Sequence, residues 1–205
     1  VHTATESFEA RRAIVAVPPP LAAEIAFEPA LPATRTELLR SLPMGSVIKC
    51  VAAYPTPFWR DEGLSGHSVS DEGPVHVTFD ASPKSGSPGL LMGFVEGPKA
   101  RELSKLSTEH RRELALGCFA RAFGDRARDP IAYVDRAWTE ERWSGGCYAA
   151  VFPPGIWTTL GARLRETEGR IHWAGTETSP VWNGYIEGAV RSGERAAAEV
   201  VAADV

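Results

Sequence analysis

The stretch GSVIKCVAAY, residues 45–54, alternates its side chains so that Val47, Lys49, Val51 and Ala53 fall on one side and Ile48, Cys50, Ala52 and Tyr54 on the other. That period of two predicts a strand with one wholly apolar face and one apolar face that carries a lysine. Working outward, PVHVTFD (residues 74–80) alternates in the same way, and GLLMGFV (residues 89–95) is an apolar run of the kind buried in a sheet. Between them ASPKSGSPG is rich in the residues that make turns, so the two runs are expected to pair as a hairpin. Further out, the period changes from two to three and four. Ser107 is a candidate N-cap, and Leu114, Ala115, Cys118, Phe119, Ala122 and Phe123 mark one stripe of a helix that Gly124 ends.

At the two ends of the chain, ARRAIVAVPPP predicts a strand over Ala13 to Val17 halted by Pro18 to Pro20, and TRTELLRSL a turn or two of helix. RIHWAG reads as a strand that leads through TETSPVWNGY into a last helix. In that helix Ile186, Ala189, Val190, Gly193, Ala197, Val200 and Val201 form the expected apolar stripe, with Glu187, Arg191, Glu194 and Glu199 outside it. The class is mixed α and β (α+β or α/β), with a strand-rich middle.

With 205 residues, 43% hydrophobic and 23% charged, the chain can bury a sizeable core. A net charge of −4 with no basic block speaks against a nucleic-acid partner. No apolar run has the length of a membrane span. Three cysteines, Cys50, Cys118 and Cys147, do not make a closed disulfide framework, so a reducing cytoplasm is the expected setting. The absence of an initiator methionine and the opening on a strand-like pattern suggest a piece of a longer chain. No histidine or cysteine pair has zinc spacing, so no metal is expected. The G-x-S-x-G elbow, the G-x-G-x-x-G fingerprint and the P-loop are all missing.

A few residues stand out against this background. Lys49 shares a face with Val47 and Val51; it is either an edge-strand lysine that discourages aggregation or an amine aimed at a reactive centre. Cys118 and Cys50 read as small core residues. Cys147 differs, because in WSGGCYAAVFPPG (residues 143–155) it follows two glycines that let the backbone approach another body closely, and it lies on no periodic apolar face. An ordinary turn residue is the plain alternative. In SPVWNGYIEGA, Asn183 is a candidate cap for the last helix, whose first N–H groups could seat a negative charge or a polarised carbonyl.

GSVIKC, PFWR, MGF followed by KAR, SGGCY followed by FPPG, WAGTET and GYIEGAV occur here in the order in which similar segments occur in the flavin-containing monoamine oxidase family. The chain resembles the C-terminal portion of such an enzyme over nearly its whole length. The resemblance implies part of a two-domain fold: residues 1–38 and 139–205 as parts of an FAD-binding domain, and 39–138 as a substrate-binding domain. It further implies FAD as cofactor, joined covalently through Cys147, with Trp138 beside the ring and Gly175, Thr176 and Glu177 along the ribityl-diphosphate portion. Backbone at Tyr185 and Ile186 would donate to the flavin pyrimidine, and Lys49 would reach its N5 through a water.

By the same likeness, Tyr148 and Tyr185 would form an aromatic cage, with Phe79, Phe94 and Val77 lining a substrate cavity. Because no acid shares the Val77 and Phe79 face, the expected substrate is an apolar or aromatic monoamine, oxidised with oxygen to aldehyde, ammonia and hydrogen peroxide. The glycine-rich dinucleotide-binding βαβ unit of the family is not in this chain, which implies a missing N-terminal half or subunit. A silent fragment that needs this partner, or an amino-acid or polyamine oxidase, is the alternative. A homodimer is one assembly open to the family. No membrane contact is expected, the last helix running out at Asp204 and Val205 without the anchor of animal members.

Overall fold

A computed structural model describes residues 1–203. Asp204 and Val205, where the last helix was expected to run out, lie outside the described residues. In chain order the elements are β1 (Ala13–Val15), α1 (Pro19–Ala22), α2 (Ala33–Arg40), β2 (Val47–Tyr54), β3 (Ser68–Val69), β4 (Val77–Asp80) and β5 (Gly89–Glu96). Then follow α3 (Gly97–Leu103), α4 (Thr108–Phe123), β6 (Ala132–Ala137), α5 (Ile156–Leu160), β7 (Ile171–Trp173) and α6 (Ile186–Ala202). The contacts divide the chain into two units: residues Ser46–Arg142, and Val1–Gly45 together with the chain from Trp143 onward.

The inserted unit is a five-stranded sheet in the order β3-β4-β5-β2-β6, its paired neighbours antiparallel. The expected hairpin forms, with Phe79 opposite Met92 and Val77 opposite Phe94. β2 lies between β5 and β6, so Lys49 faces Phe94 on one side and Arg136 on the other. Lys49 is therefore on an interior strand, and the edge-strand explanation of it fails. Ile48, Cys50, Ala52 and Tyr54 are all buried in one cluster with Phe119, Phe123, Ala115 and Leu116 of α4. Gly93 permits that packing: a Cβ there would lie 2.8 Å from Phe119 and from Val75. At the base of the sheet, buried Asp135 of β6 takes three hydrogen bonds from the Arg111 guanidinium of α4, the shortest 2.8 Å. Burial pushes the Cys50 thiol up to about 12, so it stays a neutral core group.

Helix α4 begins and ends as its sequence predicts: Ser107 Oγ accepts the His110 N–H, and Gly124 closes it at φ 86°. Its buried face is broader than the expected stripe. Ala115, Cys118, Phe119 and Phe123 are buried as expected with Ala122 packed against them, Leu114 is exposed, and Leu116 and Ala120 are buried as well.

The other unit pairs β1 and β7 in parallel, Ala13 opposite Ile171 and Val15 opposite Trp173. β1 ends two residues short of the expected Val17, and the prolines that halt it start a helix instead. Pro19 occupies the first turn of α1, where its missing N–H costs nothing. α2 divides its leucines: Leu38 joins Leu42, Ala150 and Leu164, while Leu39 joins Ala22 and Trp173. Arg35 is buried with its guanidinium 4.7 Å from the Trp173 ring and hydrogen-bonded to Glu168 and the Glu166 carbonyl.

The largest departure from expectation is α6. Its buried residues are Gly188, Ser192 and Ala196, spaced by one turn each, while Ile186, Val190 and Val201 are exposed. Closeness explains the reversal. A Cβ on Gly188 would run into the Trp182 carbonyl, and Ser192 Oγ both accepts the Gly175 N–H (2.9 Å) and donates to the Ala189 carbonyl. Only small residues fit that seam, so the larger apolar ones are left on the outside.

Candidate functional site

The inserted unit carries its candidate residues on the sheet face opposite α4. Side chains directly across from one another share a face, and diagonal neighbours come within reach of long or aromatic groups. The Lys49 ammonium therefore sits 5.3 Å from the centre of the Trp138 ring and 5.9 Å from that of Phe94. Phe94 meets Phe79 edge to face at 5.6 Å, and Phe79 in turn stacks on His67 at 4.9 Å, nearly parallel. Val77 lies beside Phe79 on this face by register. One row of π-systems thus crosses the sheet with a single lysine inside it. The structure brings together Lys49, Trp138, Phe94 and Phe79, all expected from the sequence, and adds His67, which was not. His67 was hidden because it precedes a strand only two residues long; its position opposite Phe79 follows from the β3–β4 register.

The acid of β4 is on the other face. Asp80 takes hydrogen bonds from the Trp59 indole (2.9 Å) and Arg60 (2.7 Å). Burial alone would raise its carboxyl, but the bonds from Arg60, Ser82 and Trp59 outweigh that and hold it well below the usual carboxylate range. It is a structural anion.

In the other unit, Cys147 lies on a loop pinned by backbone. The Cys147 N–H donates to the Gly45 carbonyl (2.9 Å), the Gly45 N–H to the Ala149 carbonyl (3.0 Å), and the Val151 N–H to that of Pro43 (2.7 Å). The Cys147–Tyr148 peptide is cis. The glycines around the cysteine are required by this contact: a Cβ on Gly45 would strike the Cys147 carbonyl, and one on Gly146 the Gly45 carbonyl and Met44. Among the three cysteines Cys147 is the one not buried. Tyr148 follows it, about half exposed.

Glu177 takes a position that its sequence context does not reveal. Its buried carboxylate accepts the Ala150 N–H at 2.8 Å, tying the Cys147 loop to the turn at Thr176–Thr178. Asn183 does not cap α6. Its amide donates to the Thr176 and Glu177 carbonyls at 3.1 Å, and Tyr185 occupies the N-cap position without a side-chain bond. The Thr176 hydroxyl donates to the Tyr185 carbonyl (2.9 Å), so the Gly175–Glu177 turn and the helix start are held as one piece. The Tyr185 ring is exposed and meets Trp182 edge to face. No side-chain cap covers the first N–H groups of this 17-residue helix, where the helix dipole favours an acceptor.

These features suit an anionic cofactor: a helix start without a side-chain cap, a partly exposed cysteine, and a buried Ser144 hydroxyl without a hydrogen-bond partner. Among the described residues no cluster of histidine, cysteine and acidic side chains could hold a metal ion, and no helix is long and apolar enough to cross a membrane.

Comparison with known proteins bears on the same residues. The family described as flavin containing amine oxidoreductase matches residues 1–201. A Mycobacterium tuberculosis protein named as a flavin-containing monoamine oxidase, AofH, is 52% identical over 194 residues, which is 95% of this chain and 42% of that protein. Among solved structures, cyclohexylamine oxidase from Brevibacterium oxydans superposes with a TM-score of 0.92 at 36% identity, over 97% of this chain and 44% of its own. A putrescine oxidase bound to putrescine superposes with a TM-score of 0.90 at 36% identity, over 93% and 42%. The chain spans about two fifths of the length of the relatives it matches.

Proposed function

Because the chain belongs to the family of flavin containing amine oxidoreductases, we propose that it provides the substrate face and part of the cofactor cradle of an FAD-dependent amine oxidase. The substrate is a primary amine with an apolar or aromatic body, converted to aldehyde and ammonia with release of hydrogen peroxide. The observation that carries this reading is the row of rings around Lys49 on a sheet face to which β4 contributes no acid. A diamine would need a carboxylate for its distal ammonium, and Asp80 is turned away and occupied.

Bound FAD supplies the two-electron acceptor for the α-carbon of the amine, with oxygen as the final oxidant. We assign the remaining work to this chain's residues. Lys49 would hold a water beside the flavin, and Trp138 would flank it. Cys147 would be the covalent attachment point, on a loop that Gly45 and Glu177 hold in place. Gly175 and Thr176 fix the start of α6, where the N–H groups at Ile186 would meet negative charge as it grows. Tyr148 and Tyr185 present exposed rings that would orient a neutral amine and exclude water. We assign the FAD-binding role to the unit that contains Cys147 and the substrate role to the inserted unit.

A second component is part of the proposal. The uncovered apolar side of α6 and the length of the relatives both favour a partner segment carrying the dinucleotide-binding unit, without which the chain would be catalytically silent. The test is made without oxygen on the flavin-loaded protein assembled with that partner segment. Benzylamine should bleach the flavin absorbance, and Lys49→Met should slow the bleaching by about a hundredfold or more. If no apolar monoamine bleaches it, the reading is wrong.

A further inference from the structure

We propose that His67 is a specificity-determining residue: its imidazole forms the far end of the substrate face and selects amines whose ring lies several bonds from the nitrogen. The inference rests on the amine oxidase reading and goes beyond it by naming which amines this face prefers. Three observations support it. His67 and Phe79 are stacked at 4.9 Å with 14° between their planes, so the imidazole is held flat rather than left as a free side chain. The row His67, Phe79, Phe94, Lys49 is continuous by ring contact. Finally, the strand order β3-β4-β5-β2 puts three strand intervals between the ends of the row, or roughly 14 Å at the usual sheet spacing.

That length sets the selectivity. With its nitrogen end near Lys49, benzylamine has its ring one carbon away and packs on Phe94. The ring of 4-phenylbutylamine is carried outward along the row, toward Phe79 and the His67 stack. An imidazole edge also offers a nitrogen to a polar group on a distal ring, which phenylalanine at the same place would not. The conformation of Phe79, which is 42% exposed, depends on the His67 ring behind it. Removal of the imidazole therefore loosens the outer part of the face first.

The experiment uses the flavin-loaded protein assembled with its partner segment, with benzylamine and 4-phenylbutylamine as probes. In His67→Ala the ratio of KM for the longer amine to KM for the shorter should rise roughly three- to tenfold, the value of one aromatic contact, with kcat for the longer amine changed less than its KM. His67→Phe should restore the ratio, because it keeps the stacked ring. A ratio unchanged in His67→Ala, or a phenylalanine variant that behaves like alanine, overturns the proposal. If neither amine is oxidised by the unsubstituted protein, the amine oxidase reading falls instead. The histidine ring resonances then decide the inference by themselves. 4-Phenylbutylamine must shift the His67 signal and benzylamine must leave it in place; an unmoved signal overturns it.

Discussion

Two side chains of the same charge type show how much their surroundings decide. Asp80 and Glu177 are both carboxylates near candidate site residues, yet one anchors a strand end and the other a loop. Asp80 has a carboxyl held below its ordinary range, so its contribution is complete above the unfolded carboxylate pKa and is lost only as pH falls through the lower, folded value. Asp80→Asn should therefore lower stability by about 1–3 kcal/mol at neutral pH. The gap in melting temperature from the unsubstituted chain should persist through pH 4 and close only in stronger acid. Thermal scans of both proteins across that range check it. Cys147 offers a chemical contrast of a different kind. As the one cysteine that is not buried, it should react with iodoacetamide before Cys50 and Cys118 in the flavin-free chain. Loaded with flavin, the chain should gain the mass of one FAD under denaturing conditions, and Cys147→Ser should abolish the gain. An unmodified mass in a protein that still binds flavin would remove the covalent link from the mechanism.

Helix α6 marks where local pattern stops being informative. Its extent was readable from helical periodicity, and so were the β4–β5 hairpin from alternation and the ends of α4 from Ser107 and Gly124. The face that α6 buries was not readable, because hydrophobicity points to Ile186 and Val190 while the packing is decided by how closely backbone must approach backbone at Gly188. The same limit hid the work of Glu177 and Asn183, which bond to main-chain groups far from their neighbours in sequence. Lys49, Trp138, Phe94 and Phe79 were legible as a group through family likeness, and the sheet register supplies the physical reason for their proximity. The glycines of α6 allow a direct comparison. Gly188→Ala forces a Cβ into the Trp182 carbonyl and should destabilise by about 1–3 kcal/mol. Gly193→Ala meets nothing within 4 Å and should stabilise by about 0.5–1 kcal/mol through helix propensity. Denaturant melts of the two variants should move in opposite directions.

Taken as a chain, the protein inserts one unit into another. Residues 46–142 hold a complete five-stranded sheet, its covering helix α4 and one continuous apolar cluster. Expressed alone, this segment should fold and melt cooperatively, as circular dichroism would show. A segment that stays unfolded would mean that the sheet depends on contacts outside it. The flanking unit has no such independence, because its two halves are joined only late in the sequence, and its small parallel sheet needs a strand from each.

That pairing of β1 with β7 has a consequence for biosynthesis. β1 leaves the ribosome long before its partner at Ile171–Trp173 exists, with the whole inserted unit translated in between. Domains fold as units during synthesis, so the sheet of the inserted unit can close while β1 and the leucines of α2 still wait exposed. Loop-closure entropy falls on the unpaired strand only as a slowly growing logarithm of the intervening length, and prior folding of the insertion shortens that loop to the distance between its own ends. The nascent protein thus carries β1 and the leucines of α2 unprotected while residues 46–142 are being made, the interval in which a holding chaperone would find them.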